Sequence, residues 1–304
     1  MSQKISASIV IPVKNDSRIR RCVLSLLDQT VSRDCYEIIV VDNNSTKVNI
    51  PDILSDLPVK IYRENKLGLA AATNYGLLKA QGDFLVRIDA DCIAEKSWLE
   101  ELLLPFKEAN IGAVGGLILK ETGNNLVEKA ARGLVIGDQL EPQYLPMYNA
   151  PYVVTANAAY RLRVVKEIGG FDNDFISGSD VDISWRIHIA GYYICTTNKA
   201  IVDHPSRPTI RKYFYQFYNY GLGHALLFKK YKKITGKKTL INVYPFVGIF
   251  RVISRDIPKA LYLLVNKKED LQIYATRMFL DLTEYIALIC GDLVGAFKHK
   301  ILYF

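Results

Sequence analysis

The chain opens with a short, nearly continuous apolar run, Ala7-Ser8-Ile9-Val10-Ile11-Pro12-Val13. Such a run suits a strand covered on both faces, as in a parallel sheet. Pro12 comes at its end, where a missing N–H costs least. Over 17–29 the spacing changes, and Ile19, Val23, Leu26 and Leu27 recur at helical intervals. Residues 37–41 predict a second buried strand, running into the polar Asp42-Asn43-Asn44-Ser45-Thr46. Residues 59–62 predict a third strand, and 69–80 a helix stopped by Gly82. The mostly apolar 83–88 predicts a fourth strand, ending in Asp89-Ala90-Asp91. Strands alternating with helices signal an α/β protein with a parallel sheet.

The pattern continues with a helix over 97–106, capped by Ser97, and a strand over 111–119. Residues 120–149, rich in Gly, Asn and Pro, read as a long irregular functional loop. Order resumes at 152–155. A short helix over 164–168 is closed by Gly169-Gly170, another over 179–190 by Gly191, and a strand lies within 194–202. Beyond Pro208 the character changes. Tyr213, Phe214, Phe217, Tyr218 and Tyr220 interleave with Arg211 and Lys212, and a basic run follows over 229–238. Two apolar stretches, 240–265 and 278–297, close the chain. Arg251, Arg255 and Asp256 interrupt the first, and Asp281, Glu284 and Asp292 the second. A span wants ~20 mostly apolar residues. Amphipathic helices packed on a core, or lying in a membrane interface, fit better. No internal repeat is present, and no Gly-x-Gly-x-x-Gly follows the first strand, which leaves a dinucleotide-binding reading weak.

At 304 residues and 50% hydrophobic, the chain can hold one large domain, or one domain with a sizeable extension. The expected division is 1–208 for the α/β domain and 209–304 for a helical extension. Five cysteines without a Cys-x-x-Cys pair argue against a disulfide framework or a zinc site and for a reducing compartment. Met1 runs almost directly into the first strand, so no signal peptide is expected. The net charge of +8 is unevenly placed. No acidic residue lies between Asp203 and Asp256, an interval holding eleven Lys and Arg, so the remainder is net −3 (+8 less +11). A basic segment on a mildly acidic body implies an anionic partner for that segment.

Asp89-Ala90-Asp91 carries the chemistry. Taken alone, the pair could simply turn the chain or cap a helix. At the carboxyl end of a strand it lies where open α/β sheets bind ligands. Two hard oxygen donors separated by one small residue can hold Mg²⁺ or Mn²⁺ against a diphosphate. Asp42 to Thr46 alone would be a polar turn.

Six blocks stand in order: Ser8 to Asn15, Ile39 to Thr46, Asn65-Lys66-Leu67-Gly68-Leu69-Ala70-Ala71-Ala72-Thr73-Asn74, Asp89-Ala90-Asp91, Gly169-Gly170-Phe171-Asp172, and Ser179-Asp180-Val181-Asp182. Over roughly residues 5–205 this series resembles family 2 glycosyltransferases with the GT-A fold. The resemblance implies a mixed, mostly parallel sheet flanked by helices. It also implies an inverting transferase moving a sugar from a nucleoside diphosphate, UDP being the commonest, to an acceptor hydroxyl.

The same resemblance implies the site residues. Pro12 and Asn15 match positions lining the nucleotide pocket. Asp42 and Asn43 match a pair beside base and ribose, where the family often has two acids. Asn65, Gly68 and Asn74 fall in the third block, on the nucleotide-sugar side. Asp91 matches the direct metal contact, and Asp89 a residue nearer the ribose or reaching the metal through water. His204 matches a His that completes the metal site in some members, although a lone His is as readily structural. Many members carry Arg where this chain has Thr73. The family base usually follows Glu; here Asp180 follows Ser179, and in-line attack needs such a carboxylate within hydrogen-bond reach of the acceptor. Ser179 with Asp182 also reads as a capping box, which makes Asp182 a helix-start residue. Asn157, within Thr155 to Arg161, could bond a sugar hydroxyl, while packing explains the alanines there equally well.

For the C-terminal segment three readings stand: a solvated basic face, nucleic-acid binding through interleaved Tyr and Lys/Arg, and peripheral attachment to an anionic membrane. No nucleic-acid motif is present. The segment resembles the tails of bacterial family members that extend lipid-linked sugars for surface polysaccharides, most specifically at Tyr220-Gly221-Leu222-Gly223-His224. The expectation is therefore a cytoplasmic enzyme, peripheral at the inner face of the membrane, with a lipid-linked saccharide acceptor, Mn²⁺ or Mg²⁺, and scope for a homo-oligomer. Its rival is a catalytically weak nucleotide-sugar-binding subunit of an assembly complex.

Overall fold

The computed structural model describes residues 6–121, 123–131, 143–145, 148–236, 239–265 and 271–303. The first apolar run forms β1 (Ala7–Val13), followed by α1 (Ile19–Leu27), β2 (Tyr36–Asp42), α2 (Ile50–Ile53), β3 (Lys60–Arg63), α3 (Leu69–Lys79) and β4 (Phe84–Ile88). Next come β5 (Ile93–Ala94), α4 (Trp98–Leu103), β6 (Ile111–Lys120), α5 (Leu126–Ala130), β7 (Gln143–Leu145) and β8 (Tyr148–Tyr152). Then follow β9 (Asn157–Arg161), α6 (Leu162–Glu167), α7 (Ser179–Ile189) and β10 (Tyr193–His204). The remainder is helical: α8 (Ile210–Thr235), α9 (Tyr244–Arg251), a π-helical turn (Val252–Asp256), α10 (Ile257–Val265) and α11 (Leu271–His299).

Two compact units result: Met1–Leu119 with Leu134–His204, and Lys120–Gly133 with Pro205–Phe304. In the first, eight strands form one sheet in the order β3-β2-β1-β4-β9-β6-β10-β5. The β3-β2-β1-β4 half is parallel. β9 runs antiparallel to both β4 and β6, so the sheet is mixed. β1, β2, β4 and β9 bury both faces because alternate side chains enter opposite layers, whereas the edge strand β3 stays half-exposed. Ile9, Ile11, Ile38, Val40, Val86 and Ile88 join the layer containing α1 and α4. Val10, Ile39, Val41 and Leu85 join the layer containing α3, α6 and α7. Trp98 and Trp185, one in each helical layer, are wholly buried.

Three local expectations change. The stretch 120–149 is not a plain irregular loop: its described part contains α5, started by a capping box between Asn125 and Glu128, and strands of the β7–β8 hairpin. Residues 122, 132–142 and 146–147 of that stretch lie outside the described residues. Ser97 does stand at the cap of α4, but its side chain makes no capping bond. Ser179 and Asp182 form no capping box. α7 starts after Gly178, which is left-handed (φ 87°), and Asp182 is completely buried against Arg186, Oδ2 to Nη2 2.7 Å.

In the second unit α8 and α11 pack closely. A Cβ on Gly221 would meet the Asp292 backbone N at 2.6 Å, and one on Gly295 the Ala225 Cβ at 2.6 Å. Gly221 of the Tyr220-to-His224 block is therefore a helix-crossing position. The acids that interrupt the last apolar stretch point inward. Glu284 accepts from the hydroxyls of Tyr213 (3.2 Å) and Tyr244 (3.0 Å), and Asp292 accepts from Asn242 (2.9 Å). None of the described helices is long and apolar enough to cross a membrane.

Candidate active site

Parallel pairing of β1, β2, β3 and β4 puts their carboxyl ends on one edge, and the loops there are tied by side-chain amides. Asn15 is left-handed (φ 54°), and its Oδ1 accepts from the backbone N–H groups of Thr46 (2.8 Å) and Lys47 (2.7 Å). Asp42 accepts from Ser45 N–H at 2.8 Å, with Arg63 3.6 Å away. Asn43 is buried; its Nδ2 donates to the carbonyls of Glu64 (3.2 Å) and Lys66 (2.8 Å), and its Oδ1 accepts from Gly68 N–H (2.9 Å). Only an amide can make that set, because a carboxylate has no donor. Asn43 thereby shapes the loop carrying exposed Asn65 and leading to Gly68, the N-cap of α3, whose φ of 125° strains any other residue. Pro12 is buried in β1, opposite Val41.

The next strand end carries the charged cluster. Arg87 is completely buried; Nη1 donates to the carbonyls of Val10 (2.9 Å) and Ile88 (2.7 Å), and Nη2 lies 3.2 Å from Asp89 Oδ1. A cation beneath the turn thus sets one oxygen of Asp89. His204, at the end of β10, is buried, with Nε2 3.9 Å from Asp89 Oδ2 and 3.8 Å from Asp91 Oδ1. Arg18 spans Asp16 (Nη2–Oδ2 2.5 Å) and Asp91 (Nη2–Oδ2 3.1 Å). Cys92 also approaches: one ligand atom each from Asp91, Cys92 and His204 lie within 4.8 Å of one another. Two atoms each about 2.1 Å from one ion lie at most about 4.2 Å apart. The His204 distances to both carboxylates meet that limit. Carboxylate oxygens suit a hard divalent cation, whereas a thiol suits softer metals. Among the described residues the three that gather closely enough to share an ion are Asp91, Cys92 and His204, and Asp89 approaches His204 from outside that group; the oxygen and imidazole donors of Asp91 and His204 are compatible with Mg²⁺ or Mn²⁺.

Asp180 is half-buried in the first turn of α7, where its Oδ1 accepts from Val181 N–H at 2.9 Å. Burial pushes its carboxyl up to about 6, and the charge of Asp89 adds in the same direction. Asp180 is therefore electrostatically coupled to the cluster. A carboxyl poised near neutrality and coupled to neighbouring carboxylates has the properties of a general base. Asp182 instead joins Arg186, which also donates to the carbonyls of Ile168 (2.8 Å) and Gly170 (2.7 Å). That brace holds the Gly169-Gly170 turn, both residues at positive φ, against Asn74. Asn74 accepts from Phe171 N–H (2.8 Å) and donates to its carbonyl (2.7 Å).

Asn157 is not brought to this cluster. It is buried between strands, donating to the carbonyls of Leu117 (2.9 Å) and Ala200 (2.8 Å) and accepting from Trp98 Nε1 (2.8 Å). Both its donors are used, so its place is in the sheet. Thr73 is also buried and bonds back to the Leu69 carbonyl (2.8 Å). Sequence reasoning missed Arg18 and Arg87. A lone Arg in an otherwise apolar strand was the available signal for Arg87. Nothing local marks Arg18, because its nearness to Asp91 depends on folding.

An eight-stranded mixed sheet with helices on both faces and an acidic cluster at its carboxyl edge defines a GT-A-type domain. Residues 8–169 match the family model described as "Glycosyl transferase family 2". The chain belongs to that family. It is 32% identical over 222 residues to the pre-mycofactocin glycosyltransferase of Mycobacterium tuberculosis H37Rv, covering 70% of this chain and 46% of that protein. It thus spans about half the length of that relative. Identity is 25% over 264 residues to a Methanococcus voltae dolichyl N-acetyl-alpha-D-glucosaminyl phosphate 3-beta-D-2,3-diacetamido-2,3-dideoxy-beta-D-glucuronosyltransferase, covering 81% of this chain and 80% of that one. Among solved structures, the mannosyltransferase PcManGT of Pyrobaculum calidifontis, in complex with GDP-Man and Mn²⁺, superposes with a TM-score of 0.64. That match is 18% identical and covers 98% of this chain and 88% of that one, a likeness of fold.

Proposed function

We propose that this chain is an inverting, metal-dependent glycosyltransferase that moves a sugar from a nucleoside diphosphate, UDP in the first instance, to a hydroxyl of a lipid-linked saccharide. The observation that carries this reading is the convergence of Asp89, Asp91 and His204, with a raised carboxyl at Asp180 coupled to them. Asp91 and His204, with Asp89 beside His204, would hold Mn²⁺ or Mg²⁺, and that ion would supply charge neutralisation to the leaving diphosphate. Pro12, Asn15, Asp42, Asn43, Asn65, Gly68 and Asn74 form or shape the nucleotide side.

Asp180 takes the acceptor's hydroxyl proton. The acceptor oxygen forms the new bond to the anomeric carbon as the bond to the diphosphate oxygen breaks, and that electron pair leaves on the diphosphate. Thr73 brings no cation, so Arg18, 3.1 Å from Asp91, supplies the positive side chain facing the diphosphate. Asn157 supports the sheet next to the site and stands outside the donor contacts. The enzyme works as a domain over 1–208 with a helical extension over 209–304 that attaches it to the inner face of an anionic membrane.

The test is a panel of nucleotide sugars with Mn²⁺ or Mg²⁺ on membranes bearing lipid-linked oligosaccharides, with mass spectrometry of the products. One donor should give a metal-dependent mass increase. Binding of a nucleotide sugar without transfer or hydrolysis for every donor would favour the weakly catalytic assembly subunit, the reading that Ser179 and Thr73 keep open.

A further inference from the structure

The helical unit buries acids and exposes large apolar side chains. α11 buries Asp281, Glu284 and Asp292 while exposing Phe279 (52%), Ile286 (50%) and Phe297 (90%). The run α9–π turn–α10 exposes Phe246, Phe250, Ile253, Ile257, Leu261 and Leu264 at intervals of three or four. That spacing makes one stripe along a helix. Exposed apolar patches beyond a few hundred Å² mark interaction surfaces. Arg251, Arg255 and Lys259 follow at intervals of four on the same run, and no acid occurs from 204 to 255. An apolar stripe accompanied by a row of cations matches a helix lying in the plane of an anionic bilayer surface.

A cavity of about 320 Å³ lies beside this run, lined by Arg255, Lys259 and Arg277 together with Asp256, Tyr274 and Asp281. The cations are held by their own partners. Arg255 Nε (2.8 Å) and the Tyr274 hydroxyl (3.1 Å) both donate to Asp256 Oδ1, the Lys259 ammonium sits 4.9 Å above the Tyr274 ring, and Arg277 Nε donates to the Ala130 carbonyl (3.2 Å). Arg255 and Asp256 belong to the π-helical turn, a geometry that recurs at functional sites.

We infer that the stripe over 246–264 is an in-plane membrane surface and that the cavity takes the phosphate of an anionic lipid headgroup. The inference rests on the membrane-attachment reading above and adds a defined headgroup site to it. Arginine's fixed donors suit a phosphate, and Lys259 adds a point charge.

The experiment measures binding of the full chain to phosphatidylglycerol and phosphatidylcholine vesicles at low salt. Each cation lost near an anionic surface weakens binding about fivefold. Lys259→Gln with Arg277→Gln should therefore fall well beyond the ~25-fold expected of any two cations. The control, Lys229→Gln with Lys233→Gln, removes the same charge outside the cavity. Short-chain dihexanoyl-phosphatidylglycerol should raise the melting temperature of the wild type and not that of Lys259→Gln, a readout that needs no bilayer. Phe250→Ser with Leu261→Ser, both exposed, should lose vesicle binding and keep the short-chain response. Equal losses in the cavity pair and the control, with no short-chain response, would overturn the headgroup site while leaving membrane attachment intact. A wild type that ignores both vesicle types would overturn the attachment reading itself.

Discussion

Replacing Asp180 by Asn should make the protein more stable and inactive. The folded carboxyl is raised from 3.8 to about 6, mainly by burial. The folded state therefore binds this proton more tightly than the unfolded chain, and the group's contribution to stability falls as pH rises between those values. Above pH 6 the full penalty is present. About two pKa units at ~1.4 kcal/mol each give an upper limit of ~3 kcal/mol. An amide accepts fewer hydrogen bonds than the carboxylate, which also takes one from Thr155 N–H, and each lost bond costs ~1 kcal/mol. The net gain for Asp180→Asn at pH 7.5 should be about 1–3 kcal/mol.

Trp98 and Trp185 are the chain's two tryptophans, both in the unit that holds the site, so urea unfolding followed by their fluorescence reads that unit. The gain should shrink steadily below pH 6 and vanish near pH 4. In the wild type, kcat/KM should rise with pH up to a shoulder near or below 6, since a cation beside Asp89 offsets that residue's contribution. A variant no more stable than wild type at pH 7.5, or a difference that ignores pH, would refute the electrostatic reasoning. Normal turnover in Asp180→Asn would remove Asp180 as base.

Other outcomes follow from the same geometry. Asp91→Asn should weaken Mn²⁺ binding at least tenfold by electron paramagnetic resonance titration while the fold stays intact. Asn43→Asp puts a carboxylate against two carbonyls and should cost about 2–3 kcal/mol in urea unfolding, with weaker nucleotide binding by calorimetry, although relatives often carry an acid there. Arg87→Met strands the carbonyls of Val10 and Ile88 and leaves Asp89 without its cation, which should cost about 3–5 kcal/mol by the same fluorescence assay. Gly221→Val drives a side chain into the α11 backbone and should lower helical content on heating, read by circular dichroism, before tryptophan fluorescence changes.

The runs up to Asp91 predicted β1 to β4 and α3 to within a residue or two, and for β1, β2 and β4 the reason is that burial on both faces leaves an unbroken apolar signature. β9 left no comparable mark. Its Asn157-Ala158-Ala159-Tyr160-Arg161 sequence is a strand because Ala158 and Ala159 fit between β4 and β6, a condition set by neighbours far away in sequence. α5 was hidden for a similar reason. Its five residues carry little periodicity, and its capping box is the only local cue.

The sequence by itself determined the sheet edge at which the candidate site residues gather. Strand ends bearing Asn15, Asp42, Asn43, Asp89 and Asp91 follow from apolar runs that stop at polar residues, and parallel crossovers put those stops on one side. It also determined that Asp89-Ala90-Asp91 follows a buried strand. Tertiary structure alone decided which polar residues remain available for ligands. Asn157 looked available and is committed to Trp98, and Asp182, expected only to start a helix, is committed to Arg186. Arg18 looked incidental and His204 reads equally as structural or metal-binding, and both stand at the carboxylates. The physical reason is that a hydrogen bond or ion pair is fixed by distances of about 3–4 Å in space, and pairs as far apart in sequence as Asp91 and His204 meet only when the whole sheet has assembled.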